Sequence, residues 1–380
     1  MTTAASATSV ASPLPFKCTN CGRLQPLSYG GGGCPVCGGV LDLAAPLVFD
    51  PAQVDRRAGI AGLWRYRHTF PLPSEAEPVT LGEGGTPLVA AEVAGRRVHF
   101  KLEYLQPTGS FKDRGMAVSF TALRAGGVTE TLEDSSGNAG AAFAAYAARA
   151  GIKARVYVPA AASGPKRAQI AAFGAEVVAV DGPRSKAADA ALAAVKAGAH
   201  YGSHIYNPIG LAGNATAAYE IWEQLGHAPE LVVLPAGHGT LLLGLSRGFK
   251  ALRAAGLIER LPRLVGVQAL ACAPLWAVNR YGREGLAMAK EGATVAEGIR
   301  VVRPVRGDAV LAAVQESGGT FAAVEEADIV TGQNALARLG FYVETTSAVV
   351  WAVLAPLLAE TPGADVVVLL TGSGLKNQAA

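Results

Sequence analysis

The 380 residues carry 33 Lys and Arg against 30 Asp and Glu, and a net charge of +3 gives no basis for a nucleic-acid surface. Half of the residues are hydrophobic and 17% are charged, the balance of a globular chain with a sizeable core. No apolar run of membrane-spanning length is free of Gly and Pro, so no membrane partner is expected, and the length suits two domains or one large domain with appendages.

Residues 1–14 are small and polar, without the arginines of a transit peptide or the apolar stretch of a signal sequence, and a disordered tail is expected there. In the next segment, 15–45, Cys18-x-x-Cys21 and Cys34-x-x-Cys37 flank a Gly-rich stretch, and each second cysteine is followed by glycine. Four thiolates in two such knuckles suit tetrahedral zinc in a reducing cytoplasm better than disulfides. With sulfur at all four positions no place remains for a substrate, so the expected role is structural. Cys272 stands alone.

Residues 41–78 show no clear period and are expected to wrap the main body. LGEGGTPLV, Leu81 to Val89, reads as a turn-rich entry to the core, and Val98 to Leu105 as a strand. That strand leads to PTGSFKDRG, Pro107 to Gly115, around which the chain is organised. Gly109, Ser110 and Phe111 let the backbone turn sharply and bury Lys112 beside an aromatic ring. Burial disfavours an ammonium ion and moves the amine toward nucleophilic, Schiff-base chemistry.

Short apolar strands then alternate with Ala-rich helical stretches. Helices are predicted over 115–125, 139–150, 166–173 and 185–197, and strands at ARVYVP and AEVVAVDG. A second run from Gly213 carries strands at LVVLPAG, RLVGVQA and DVVVLLTG. This rhythm predicts an α/β fold of two open parallel-sheet domains with a cleft between them. The expected division is 46–115 with 210–380 as the larger domain and 116–209 as the smaller.

Loops after strands in open α/β sheets are where ligands bind. Besides the Lys112 turn there are three. SSGNAG, Ser135 to Gly140, opens a helix, and its free N–H groups and hydroxyls suit a small carboxylate, with Asn138 placed to hold a phenolate oxygen. In isolation it also reads as a routine helix cap. PAGHGTLLLG brings Gly237, His238, Gly239 and Thr240 into a backbone nest for a phosphate, with neither dinucleotide nor P-loop spacing. In LLTGSGLKN, Leu369 to Asn377, Thr371 ends the last strand, and its hydroxyl suits a neutral pyridine nitrogen.

LGEGGTPL, PTGSFKDRG, SSGNAG and TGSGLK, in this order, resemble the fold-type II pyridoxal-phosphate enzymes and, within them, the threonine synthases. The resemblance runs from about Leu81 to Asn377, and relatives of that family also carry an N-terminal zinc ribbon. It implies pyridoxal 5'-phosphate on Lys112, with Asn138 at the cofactor's 3-hydroxyl, Gly237 to Thr240 around its phosphate and Thr371 at its ring nitrogen. Ser135, Ser136 and Asn138 are implied near the carboxylate of an amino-acid substrate. The implied reaction converts O-phospho-L-homoserine and water to L-threonine and phosphate, in a protein expected to be a cytoplasmic homodimer. Two features depart from the pattern. SHIYNPIGLAG, Ser203 to Gly213, has Gly210 where the substrate-phosphate arginine is expected, leaving His204, Lys166 and Arg167 as substitutes. SSGN is closer to serine and threonine dehydratases than to STGN. A serine/threonine ammonia-lyase, a cysteate-synthase-like β-replacement enzyme and an inert zinc-ribbon interaction protein therefore stand as alternatives.

Overall fold

The computed structural model describes residues 15–376 apart from 28, 58, 61, 162, 163 and 183, so the expected tail at 1–14 and Asn377 lie outside the described residues. Three sheets organise the chain. At the N-terminus β1 (Phe16–Cys18), β2 (Leu24–Gln25) and β3 (Leu41–Leu43) form a small antiparallel sheet in the order β2-β1-β3.

The largest sheet combines β4 (Leu88–Val93) and β5 (Arg96–Lys101) with four later strands. The smallest α/β layer is the parallel sheet of β6 (Glu130–Glu133), β7 (Lys153–Pro159) and β8 (Glu176–Val180). The later strands are β9 (Leu231–Pro235), β10 (Arg263–Ala269), β11 (Thr320–Val324) and β12 (Val366–Leu369), and the large sheet runs β11-β10-β9-β12-β5-β4. β9 and β12 are buried along their whole length, as LVVLP and VVVL must be in a sheet covered on both faces.

The expectation of purely parallel sheets is corrected at one edge. β4 pairs antiparallel with β5 through the tight turn at Ala94 and Gly95. Leu88 and Val89, read as part of a turn-rich entry, are the first residues of that edge strand, and residues 103–105 form a 3-10 turn instead of continuing β5. An edge strand with one half-exposed face has too little apolar run to separate it from a loop in sequence.

Six helices frame the candidate site: α1 (Lys112–Ala125), α2 (Asn138–Ala150), α3 (Pro165–Ala172), α4 (Arg184–Lys196), α5 (Gly210–Leu225) and α6 (Thr240–Ala254). α1 starts at Lys112, ahead of the expected domain boundary at 116. α5 is buried through its first three turns and packs on both α1 and α6. The approach is close because glycine faces backbone: a Cβ on Gly213 would lie 2.0 Å from the Arg114 carbonyl oxygen.

The crossing is locked by a buried ionic cluster. Arg114 donates to Glu103 and Glu220, each at 2.7 Å, and Lys101 donates to Glu220 at 2.7 Å. Four charges with almost no exposed surface remain tolerable only because each is paired and hydrogen-bonded. Among the described residues no helix is long and apolar enough to cross a membrane.

Candidate active site

β9, β12 and β5 are consecutive parallel strands, so the loops that follow them emerge side by side at one edge of the large sheet. Those loops carry the glycine nest, Thr371 and Lys112. Two of them are stitched together: Phe111 N–H donates to Thr371 O at 3.0 Å and Ser373 N–H to Gly109 O at 3.0 Å. Gly109 takes φ +81°, which turns the chain so that Lys112 begins α1. Asp113 fixes the turn from behind by accepting from the Thr108 N–H at 2.6 Å and hydroxyl at 2.5 Å.

The Lys112 amine lies 4.4 Å from the centre of the Phe111 ring and has no hydrogen-bond or ion-pair partner among the described residues. Burial pulls its pKa down to about 8, against the opposing pull of Glu133 and Glu344 and with help from the Arg184 charge. The expected placement of this side chain beside an aromatic ring is met, with Lys112 half-buried.

In the nest Gly239 is left-handed at φ +73°, and Thr240 opens the fifteen-residue helix α6. The backbone N–H groups from Gly237 to Leu242 have no acceptor among the described residues, and a side chain at Gly237 would press on the backbone of Ile299 at 3.0 Å. Unpaired N–H groups at a helix start are the donor set for a phosphate. Thr371 is buried, with its hydroxyl 3.1 Å from that of Ser347, which also accepts from Gly372 N–H at 2.8 Å.

From the smaller sheet, β6 delivers Ser135, Ser136 and Asn138 to the same cleft. Asn138 starts α2 and donates through Nδ2 to Glu344 Oε1 at 2.7 Å, while its Oδ1 is buried without a partner. Glu344 also meets Lys166 of α3 at 2.9 Å, so this one carboxylate joins elements of both α/β sheets. A side chain at Gly372 would fall 2.2 Å from Glu344, which places Asn138, Glu344 and the Thr371 turn against one another.

At the end of β6, Glu133 accepts from the His204 backbone N–H at 3.3 Å and lies 3.1 Å from its ring Nδ1, and the His204 ring stands edge-on to His238, 6.3 Å away. Burial pushes the Glu133 carboxyl up to about 7, although the His204 N–H and the Lys112 and Arg184 charges oppose it. Burial also holds His204 and His238 well below the usual imidazole range. His238 Nδ1 is buried without a partner.

Gly210, expected as the place of a missing arginine, lies inside the α1–α5 contact: a Cβ there would meet Ser119 Oγ at 3.2 Å and Gly115 O at 3.3 Å. Of the proposed substitutes, Lys166 is engaged by Glu344 and Arg167 donates to Ala160 O at 3.2 Å. The structure therefore brings Lys112, Asn138, Thr371 and the nest residues to one cleft edge, together with His204. Glu133, Glu344, Ser347 and the charge of Arg184 were not singled out in the sequence. Only the acid closing a strand just before SSGN gives Glu133 any local signal.

The four knuckle cysteines converge at the far N-terminus. Their sulfurs all lie within 4.8 Å of one another, with Cys18 to Cys37 and Cys21 to Cys34 at 3.6 Å. Tetrahedral zinc with bonds of about 2.3 Å requires sulfurs roughly 3.8 Å apart, so the set fits that ion.

Residues 79–372 match the family described as pyridoxal-phosphate dependent enzyme. The chain is 34% identical to the threonine synthase of Methanocaldococcus jannaschii over 380 aligned residues, covering 95% of this chain and 92% of that one. It is 37% identical to the threonine synthase of Mycobacterium leprae over 333 residues, covering 82% and 87%. Among solved structures, a threonine deaminase from T.th. superposes with a TM-score of 0.65 at 27% identity, over 78% of this chain and 94% of that one. Maize serine racemase gives 0.65 at 22% identity over 76% and 88%, a likeness of fold alone.

Proposed function

Because the chain belongs to the pyridoxal-phosphate dependent enzyme family, we propose that it is a lyase of threonine synthase type, converting O-phospho-L-homoserine and water to L-threonine and phosphate. The observation that carries this reading is the adjacency of the Lys112, Thr371 and glycine-nest loops at one sheet edge, in a chain similar to curated threonine synthases over most of its length. The residues fit the cofactor: an unpartnered amine, an orphaned Asn138 Oδ1 and a row of free N–H groups are the complements of an aldehyde, a phenol and a phosphate.

In this reading the Gly237 to Thr240 backbone holds the cofactor's phosphate, Asn138 its 3-hydroxyl, Thr371 with Ser347 its ring nitrogen, and Lys112 its aldehyde carbon. When bound, the cofactor supplies an electron sink for the negative charge left by departure of the α-proton. Lys112 takes that proton, its pKa drawn down to about 8 so that the neutral amine is reached far more easily than in a solvated lysine, and it has no carboxylate within ion-pair distance among the described residues. The Ser135 and Ser136 turn and the N-terminus of α2 orient the substrate carboxylate. Glu133 and His204, paired and buried, are placed to hold a proton within the cleft.

One observation favours a second reading. The packing around Gly210 leaves no room for an arginine at the expected phosphate position, which suits a serine/threonine ammonia-lyase with a smaller leaving group. Incubation with O-phosphohomoserine separates the two: phosphate and threonine in equal amounts support the first, and ammonia with a 2-oxo acid from serine or threonine the second.

The coarser features extend the proposal. We read the four cysteines as a structural zinc ribbon, supported by the sulfur spacing. Residues 116–209 are read as the smaller domain, supported by their separate sheet. The expected homodimer is checked by light scattering, one copy per particle being the contrary result.

A further inference from the structure

A cavity of about 1110 Å³ opens away from the cleft, between the 3-10 segment Gly62–Thr69, the turn at Leu81 and Gly82, and the last turn of α2. Its floor includes Trp64 and Phe70, packed edge to face at 5.6 Å, and its walls carry four arginines. Two of these are neutralised: Arg57 by Asp55 at 2.5 Å and Arg65 by Glu223 at 3.0 Å. Among the described residues the other two have no carboxylate within ion-pair distance. Arg67 donates only to the carbonyls of Pro73 at 2.8 Å and Ser74 at 3.1 Å, with Glu75 acting on it from beyond contact, and Arg149 donates only to Thr80 O at 2.9 Å.

Two buried nitrogens on this wall lack a hydrogen-bond partner, Arg67 Nη1 and His68 Nδ1, the Gln53 backbone acting on the imidazole without meeting hydrogen-bond geometry. His68 Nε2 accepts the Asp50 N–H at 3.2 Å, so the imidazole proton sits on Nδ1 and that nitrogen is a donor. The wall thus presents, around an apolar floor, two guanidiniums whose hydrogen bonds go only to backbone carbonyls, and beside one of them two buried nitrogens, Arg67 Nη1 and His68 Nδ1, that make no hydrogen bond among the described residues. Unmade donors in a wall are unfavourable, and a guanidinium without a carboxylate partner is matched by an oxyanion.

From this we propose that the cavity is a second ligand site, taking a small oxyanion, phosphate monoester or carboxylate, carried on an apolar body. None of the residues placed at the cleft lines it. α2 connects the two, with Asn138 at its start and Arg149 in its last turn, eleven rises of about 1.5 Å that span roughly 17 Å.

The test is calorimetric titration of the full chain loaded with pyridoxal phosphate, so that the glycine nest is filled, with phenyl phosphate, benzoate and inorganic phosphate as probes. The expected result is saturable binding of phenyl phosphate or benzoate at about one site per chain, at least roughly tenfold tighter than inorganic phosphate because of the apolar floor. The tighter of the two identifies the head group. R149Q and R67Q are each expected to weaken that binding about tenfold. Arg149 is exposed, so R149Q keeps the test decisive even where R67Q loosens the fold. Absence of saturation by both organic probes, inorganic phosphate binding as tightly as either, or binding unchanged in R149Q would overturn the site. Because the readout is binding, it is independent of which substrate the cleft turns over.

Discussion

Lys112 owes its chemistry to what surrounds it. A lysine opening a solvated helix keeps a pKa near 10.4, whereas here burial draws it to about 8 while Glu133 and Glu344 limit the fall. The sign is that of a cation losing solvent: the proton leaves more easily, and the neutral, nucleophilic amine grows as pH rises through about 8. The rate at which cofactor-free protein captures pyridoxal phosphate is therefore expected to rise with pH and level off above about 8, read by the visible absorbance on stopped-flow mixing. A rise centred near the unperturbed lysine value would contradict the burial. Asn138→Ala is expected to weaken retention of the cofactor while leaving the fold intact, because it removes the buried, unpartnered Oδ1 proposed to hold the cofactor's phenol; dialysis of the loaded protein measures it. These residues were legible because each sits in a short glycine-rich motif. Glu344 was not, since its role comes from meeting Asn138 and Lys166, 206 and 178 residues away in sequence, as the hydrogen bond and ion pair show.

At the scale of elements, the candidate site depends on how α1 and α5 are held to β5. Arg114 sits with no exposed surface between Glu103 and Glu220. Removing one partner of such a cluster leaves unpaired buried charge, so Arg114→Met is expected to lower stability by about 3–5 kcal/mol in urea unfolding. A loss below about 1 kcal/mol would mean that the cluster is not structural. Gly213→Ala would force a methyl into the Arg114 carbonyl and is expected to cost about 1–3 kcal/mol in the same assay. The repeating strands and Ala-rich helices were readable from their periods, including β10, whose run RLVGVQA is the strand itself. What was not readable lies at the edges. The β4–β5 hairpin, β11 and the helix Gly307–Glu316 have short or mixed patterns, and their placement follows from pairing with distant strands.

Across the whole molecule, polar contacts among the described residues tie the N-terminal segment into the body. Arg247 of α6 meets Asp42 at 2.6 Å, Tyr201 N–H donates to Gly30 O at 2.7 Å, and buried Arg306 donates to Leu41 O at 2.7 Å as well as to Ile205 and Tyr206. The last pair follows His204 directly in the chain, which joins the cysteine knuckles to the cleft through one guanidinium. Metal analysis is expected to find about one zinc per chain, lost in Cys34→Ser, and chelation is expected to lower the melting temperature. An unchanged melt with metal absent would show the knuckles to be held by the body alone. The central claim concerns one covalent attachment, and borohydride reduction of the loaded protein followed by peptide mass spectrometry tests it most directly. The account predicts a pyridoxyl group on the peptide carrying Lys112 and on no other lysine. A label on Lys376 or Lys166, or none at all, would contradict it.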